Sequence, residues 1–280
     1  MIVKQMSITE YRYGSLVLLK SDLLQKAGKT THAFTTRYGG VSKGIFKSMN
    51  LALNRGDSSL NVEENYQILC ENLGFKLSDL VFSSQVHEDG VRSVTGGDRK
   101  ENLFDSPPYS ADALITSEKE LPLVVFTADC IPILLYGEDG DGNGTVGAVH
   151  AGWRGTALNI AGKVVRKMRE EFHCLFESMI AAIGPGIGSC CFETGSEVAE
   201  KILKLPIQSA SDYIGEKNGK THIDLKGINR ALLIASGLKR ECIEVSEECT
   251  KCYGHKYWSH RGTKGNRGAQ IAVISLTAGV

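Results

Sequence analysis

Short, continuous apolar runs alternate with amphipathic stretches along most of the chain. Leu121–Phe126, Ile131–Tyr136 and Val146–Val149 are rich in Val, Ile and Leu and bounded by Gly and Asp. That pattern predicts buried strands. Similar runs predict strands at Ser15–Leu19, His32–Arg37, Leu80–Ser84, from Val91 onward, Asp112–Thr116, Met179–Ile183, Glu241–Ser246 and Gln270–Leu276. Val62, Tyr66, Leu69, Cys70 and Leu73 recur at helical spacing, with Asn61 as candidate cap and Gly74 as stop. Ile160, Val164, Val165, Met168 and Phe172 form a second apolar stripe, with Thr156 as candidate cap. Shorter helices are predicted around Val198–Leu205 and Ile228–Ala235. Strands and helices interleave without a repeat or a linker, so the expectation is one mixed α/β (α+β) domain over residues 1–280.

Composition narrows the class. The 280 residues are 42% hydrophobic and 23% charged, as in ordinary globular proteins. Lys plus Arg equals Asp plus Glu at 32 each. Such a balance lacks the long-range attraction of a nucleic-acid or anionic-membrane binder, so neither partner is expected. No apolar run approaches the roughly 20 residues that span a bilayer. The first residues carry polar and charged side chains inside any would-be signal core, so no secretory signal is read there. The eight cysteines are then read as reduced thiols, metal ligands or core residues, and a cytoplasmic monomer is expected.

Several reactive side chains stand at the ends of predicted strands, where an unpaired polar group is costly. His87 follows Leu80–Ser84, Cys130 precedes Ile131–Tyr136, and His150 ends Val146–Val149. Two imidazoles and one thiolate suit zinc and leave a fourth position for water, which the metal activates near neutral pH. Asp129, beside Cys130, is the candidate to orient a histidine or that water. The same residues equally suit thiol chemistry, with Cys130 as nucleophile and His150 as base. Arg37 and Arg55, near glycines, and Arg261, Lys264 and Arg267, in a basic glycine-rich loop, read by default as solvated surface cations and, on the sharper reading, as phosphate contacts. The turn Gly184-Pro185-Gly186-Ile187-Gly188 offers backbone N–H groups to an anion, or is simply a turn. Cys190-Cys191 reads as a packing pair. Cys249 and Cys252 form half a zinc site with no second pair at zinc-ribbon spacing.

Four segments carry a resemblance. Ser84–His87, Thr127–Cys130, Val149–Gly155 and Ile183–Glu193 are similar to the signatures of the multi-copper polyphenol oxidase (laccase-like) domain family. Members of that family are assigned as purine nucleoside phosphorylases, and it includes the peptidoglycan editing factor. Phe34–Ser42, Met49–Ala52, Cys249-Thr250 and Ser259–Ile274 match as well, so the resemblance covers nearly the whole chain in order. It implies a single domain with two mixed β-sheets packed between helices, in α/β/β/α layers. It implies a zinc site that maps onto His87, Cys130 and His150, with copper possible in the same site. It also implies phosphate-dependent cleavage of adenosine, inosine, guanosine and methylthioadenosine to free base and ribose 1-phosphate, with hydrolytic deamination of adenosine. Beyond the resemblance, from residue types, Cys130, His150 and Asp129 are the candidate catalytic residues, and Arg37, Arg154 and Asn50 the candidate substrate contacts. The chain has Ser259-His260-Arg261 where the family pattern leads us to expect a tyrosine at the middle position.

A multicopper oxidase needs more histidines than the seven present, which leaves copper-dependent phenol oxidation as a side activity at most. A cysteine hydrolase or amidase, including one that edits peptidoglycan precursors, would use Cys130 and His150. A binding module without turnover would leave the open ligand position unexplained.

Overall fold

A computed structural model describes residues 7–278. In chain order the elements are β1 (Ile8–Tyr13), β2 (Leu16–Ser21), α1 (Asp22–Ala27), β3 (Thr30–Thr35), α2 (Ser59–Leu73), β4 (Val91–Ser93), β5 (Ala113–Thr116), β6 (Leu123–Thr127), β7 (Ile131–Glu138) and β8 (Gly144–Ala151). There follow α3 (Trp153–Ala157), α4 (Ile160–Phe172), β9 (Ile180–Ile183), β10 (Glu193–Thr194), α5 (Ser196–Ile202), β11 (Ile214–Lys217), β12 (Lys220–Ile223), α6 (Leu225–Ala235), β13 (Ile243–Val245), α7 (His260–Thr263) and β14 (Gln270–Leu276). The first six residues, part of the stretch read as carrying no secretory signal, lie outside the described range.

Two sheets stack face to face. The five-stranded sheet runs β1-β2-β3-β14-β6 and all its strand pairs are antiparallel. The six-stranded sheet runs β13-β9-β7-β8-β5-β4 and is mixed, because β13 pairs with β9 and β4 with β5 in parallel. Leu123, Val125, Ala272 and Ile274 of the first sheet meet Leu114, Leu134, Val146 and Ala148 of the second. The outer face of the six-stranded sheet packs on α4 and α6 through Val164, Met168, Ile228 and Leu232. Helix α2 covers the other sheet with Val62, Tyr66 and Leu69. Each such buried side chain contributes about 1.5–3 kcal/mol. The expected α/β/β/α layers are present. The expectation of two mixed sheets is sharpened, since only one is mixed and a small antiparallel sheet, β10-β12-β11, is added.

Local chemistry explains where several boundaries moved. Leu80–Ser84 is not a strand, since Val81 and Ser84 make only isolated bridges. Asn61 lies inside α2, whose N-cap is Ser58. Thr156 lies inside α3. Asn159, in the left-handed region at φ 57°, caps α4 instead by accepting the Gly162 N–H at 3.1 Å. Turning the chain there lets α3 end and α4 begin within a few residues.

One buried polar group joins the layers away from the strand ends. Ser21 caps α1, and its hydroxyl donates to Glu244 of β13. The Ser21 N–H donates to His32 Nε2 at 2.9 Å. His32 is therefore buried as a neutral acceptor, and burial together with nearby Lys20 holds its imidazole down at about 3.

Candidate active site

Strand register assembles the site. β7 and β8 form one hairpin, closed by a turn in which the Asp139 carboxylate accepts the Asp141 and Asn143 N–H groups at 2.9 and 2.8 Å. The hairpin register sets Pro132 opposite His150. Cys130, just before β7, therefore lies at the same sheet end as His150. On the other flank of β8, Ala113 faces Val149, which brings Asp112 beside His150. The His150 N–H donates to the Asp112 carbonyl at 2.7 Å, and Nδ1 sits 2.7 Å from Asp112 Oδ1.

The Asp112 carboxylate also recruits His87. It accepts the backbone N–H groups of Val86, His87 and Glu88 at 3.1, 3.0 and 2.9 Å. These bonds hold His87 in the left-handed region at φ 62°, a conformation that costs a β-carbon residue on the order of 1 kcal/mol. Burial alone would raise the Asp112 carboxyl, but His150 and these N–H groups outweigh it and hold it low. The carboxylate is fully buried and fully partnered, as a buried charge must be.

The ligand atoms of His87, Cys130 and His150 lie within 4.8 Å of one another. The two imidazoles stand perpendicular with centroids 4.7 Å apart. Asp112 occupies Nδ1 of His150, which leaves Nε2 as the ring nitrogen free for the cluster. Burial opposes charge on Cys130, yet the neighbouring imidazoles outweigh it and bring its thiol down. Burial likewise opposes charge on His150, while Cys130 and Asp112 raise it. Gly152 completes the cradle. A β-carbon there would stand 3.2 Å from His87 Cδ2 and 3.3 Å from Cys130 Sγ. One thiol, two imidazoles and a carboxylate behind one imidazole form a donor set that can hold a borderline-soft cation such as zinc.

The cluster lies in the wall of a cleft of about 670 Å³. Phe126, Trp153, Ile187 and Phe192 give the cleft apolar surface, while Arg55, His260, Arg261 and Arg267 bring positive and polar groups. Arg267 Nε is buried with no hydrogen-bond partner among the described residues. Burial and the charge of nearby Arg55 hold the Arg267 guanidinium below its ordinary range, with Cys130 and Asp129 opposing.

The expected substrate contacts Arg37, Arg154 and Asn50 do not line this cleft. Arg37 donates to the carbonyls of Lys47 and Gly254 and stacks on Trp258, with its guanidinium carbon 4.0 Å from the ring centroid. It ties two loops together. Arg154 lies over Trp153, 4.3 Å from its centroid. Asn50 is fully buried and bonds the Ala52 and Ala269 N–H groups and the Asp57 carboxylate. It holds the backbone of two cleft residues without entering the cleft itself.

Asp129 differs from expectation in a similar way. It lines the cleft beside Cys130 at φ 90°, but its carboxylate is engaged elsewhere. Oδ1 accepts the Thr250 hydroxyl and Oδ2 the Arg261 N–H, both at 2.6 Å. The carboxylate that orients a histidine is Asp112. Its signal in the sequence was a charged residue opening an apolar run, which has to find partners once buried. Three N–H groups of the Gly184–Gly188 turn are engaged within the protein. Those of Gly184 and Ile187 reach the Pro132 and Asp129 carbonyls, and that of Gly188 reaches Cys249 Sγ. Of the five loop cations, Arg55, Arg261 and Arg267 reach the cleft, while Arg37 and Lys264 do not.

Comparison with known proteins agrees with this architecture. The sequence model of the multi-copper polyphenol oxidoreductase laccase family matches residues 31–277, and the chain belongs to that family. A Geobacillus stearothermophilus protein named purine nucleoside phosphorylase YlmD is 37% identical over 243 residues, covering 86% of this chain and 88% of that protein. A protein from an unknown prokaryotic organism, named adenosine deaminase RL5, is 34% identical over 257 residues, covering 89% and 95%. The crystal structure of YlmD from Geobacillus stearothermophilus superposes with a TM-score of 0.86 at 32% identity, covering 97% of this chain and 99% of that one.

Proposed function

We propose that this member of the laccase-like family is a zinc-dependent purine nucleoside phosphorylase with adenosine deaminase activity. The observation that carries the reading is the joining of two features in one cleft. The His87–Cys130–His150 donor set faces a space whose walls offer both aromatic faces and guanidinium groups. The names of the two relatives support the same pair of reactions. A purine needs flat apolar contact, for which Phe126, Trp153 and Phe192 stand ready. Phosphate needs planar charged donors, and Arg55 and Arg267, both in the cleft wall, supply them.

His87, Cys130 and His150 would hold the metal, whose role when bound is to act as a Lewis acid on the substrate or on water. The remaining work belongs to the chain. Asp112 keeps the His150 proton on Nδ1 and its ring in place. Asp129 anchors the Arg261 backbone and so sets the wall that carries His260 and Arg261. Arg55 and Arg267 would hold phosphate as its oxygen bonds the anomeric carbon, the glycosidic C–N bond breaks, and the purine leaves with the bonding electrons and takes up a proton.

The test is product analysis on adenosine and inosine with zinc-loaded protein, with and without phosphate, beside Cys130→Ala. Free base formed only with phosphate supports phosphorolysis, and inosine from adenosine supports deamination. Absence of both from metal-loaded protein overturns the reading.

A second reading rests on one observation. Asp112, His150 and Cys130 follow each other in the order of an acid–base–nucleophile triad. A cysteine hydrolase, including one acting on peptidoglycan precursors, would use that arrangement. Alkylation separates the two, since a nucleophilic thiolate reacts equally fast before and after chelation and a metal ligand reacts only after it.

A further inference from the structure

A second cluster of thiols lies on the far side of the cleft wall. Cys190 and Cys191 sit in a turn in which the Cys191 and Phe192 N–H groups both return to the Gly188 carbonyl at 2.9 Å. In a strand two adjacent side chains would point to opposite faces. In this turn both thiols face the same loop, with Sγ of Cys190 at 3.6 Å and of Cys191 at 3.5 Å from Cys252 Sγ. Cys249 joins them through the Cys249-Thr250-Lys251-Cys252 run. The two loops are already tied by backbone, since the Thr250 N–H donates to the Gly186 carbonyl at 3.1 Å. The Gly188 N–H points at Cys249 Sγ at 3.2 Å, a bond that favours the thiolate form.

All four sulfurs lie within 4.8 Å of one another. Four thiolates around one zinc at Zn–S about 2.3 Å stand about 3.8 Å apart along each tetrahedral edge. The spacing here is close to that. It is far longer than a disulfide bond, and Cys190 and Cys252 are both exposed, where free thiols without a role are a liability.

We propose that Cys190, Cys191, Cys249 and Cys252 form a structural site for one zinc ion, distinct from the His87–Cys130–His150 cluster. All four positions are filled by protein, which is the pattern of a closed, non-catalytic site. A groove of about 960 Å³ bordered by Cys190 and Cys249 gives the ion access. The site staples the Gly184–Cys191 turn to the Cys249–Cys252 turn. Those turns hold the back of the cleft, because Thr250 and Ile187 both bond Asp129, and Ile187 and Phe192 reach the cleft surface.

The test counts metal per chain in protein purified under reductant and loaded with zinc. Wild type should hold about two equivalents, Cys130→Ala one, and a Cys190→Ser/Cys252→Ser variant one. A single equivalent in wild type that survives in Cys130→Ala supports the proposal equally. Cobalt-loaded Cys130→Ala should show the intense sulfur-to-metal charge-transfer bands of a thiolate site. If the double serine variant does not fold, maleimide labelling of Cys130→Ala decides. Cys190 and Cys252 should be protected with metal bound and labelled after chelation. The proposal is overturned if folded Cys130→Ala holds no metal, if labelling ignores chelation, or if intact mass shows a disulfide between the two turns under reductant.

Discussion

Asp112 and His150 are joined twice, through the His150 N–H to the Asp112 carbonyl and through Nδ1 to the carboxylate, each at 2.7 Å. The same carboxylate collects the N–H groups that hold His87. One buried side chain thus orients both histidines. Replacing Asp112 by Asn leaves an amide that cannot accept all of these bonds. Metal affinity at the His87–Cys130–His150 cluster should fall roughly 10- to 100-fold, as measured by competition with a chelating dye. Unchanged affinity would remove Asp112 from this role.

Asp129 makes the contrasting case. Its carboxylate touches Thr250 and Arg261, not the histidines. Asp129→Asn should keep metal affinity within about twofold while turnover drops roughly tenfold or more, because the Arg261 wall loses a charge-assisted anchor worth about 1.5–3 kcal/mol. Metal titration and steady-state kinetics on the same preparation separate the two residues.

Gly152 has no room for a side chain. With a β-carbon 3.2–3.3 Å from His87 and Cys130, Gly152→Ala forces the cluster to give by a few tenths of an ångström. Activity should fall on the order of 10- to 100-fold with the circular dichroism spectrum unchanged. Full activity in that variant would show the cluster to be looser than its geometry.

The arginines divide by location. Arg267→Gln and Arg55→Gln should raise the KM for phosphate about 10- to 100-fold each, the loss of one charge-assisted contact. Arg37→Gln should leave that KM unchanged and lower the unfolding temperature, since Arg37 bridges the Lys47 and Gly254 loops. Phosphate saturation curves and thermal melts for the three variants check both halves.

His32 makes folding sensitive to mild acid. Its imidazole is held at about 3 in the folded chain against an ordinary 6.5. Below 6.5 the unfolded chain therefore binds a proton that the folded chain refuses. The stability His32 contributes is complete above that pH and is lost progressively as pH falls toward 3. The loss amounts to about 2 kcal/mol between pH 6.5 and 5. Urea unfolding of wild type and His32→Gln at both pH values should show a smaller pH effect in the variant.

Much of this molecule is legible from hydrophobic pattern alone. Ile131–Tyr136, Val146–Val149 and Gln270–Leu276 are buried strands as their composition requires, and the α4 stripe is the face that packs on the sheet. Strand ends then indicate where Cys130 and His150 collect, whereas His87 joins them from a segment that is not a strand, held by Asp112. Contacts set by tertiary approach are not legible in this way. A run of apolar residues does not tell which carboxylate will lie next to His150, since Asp112 and Asp129 both adjoin strands and only the β5–β8 register decides. Arg37 looks like a phosphate contact by its glycine neighbours, yet carbonyls of two distant loops claim it. Cys190-Cys191 and Cys249-Cys252 share no spacing rule, and a turn together with a long loop closure brings them together.

The place of β14 in the fold carries a consequence for folding. It is the final strand of the described chain, yet it lies inside its sheet, between β3 and β6. Without Gln270–Leu276 the facing edges of β3 and β6 have no strand between them. The β7–β8 hairpin closes by local pairing, whereas the five-stranded sheet is complete only once β14 lies in the gap between β3 and β6.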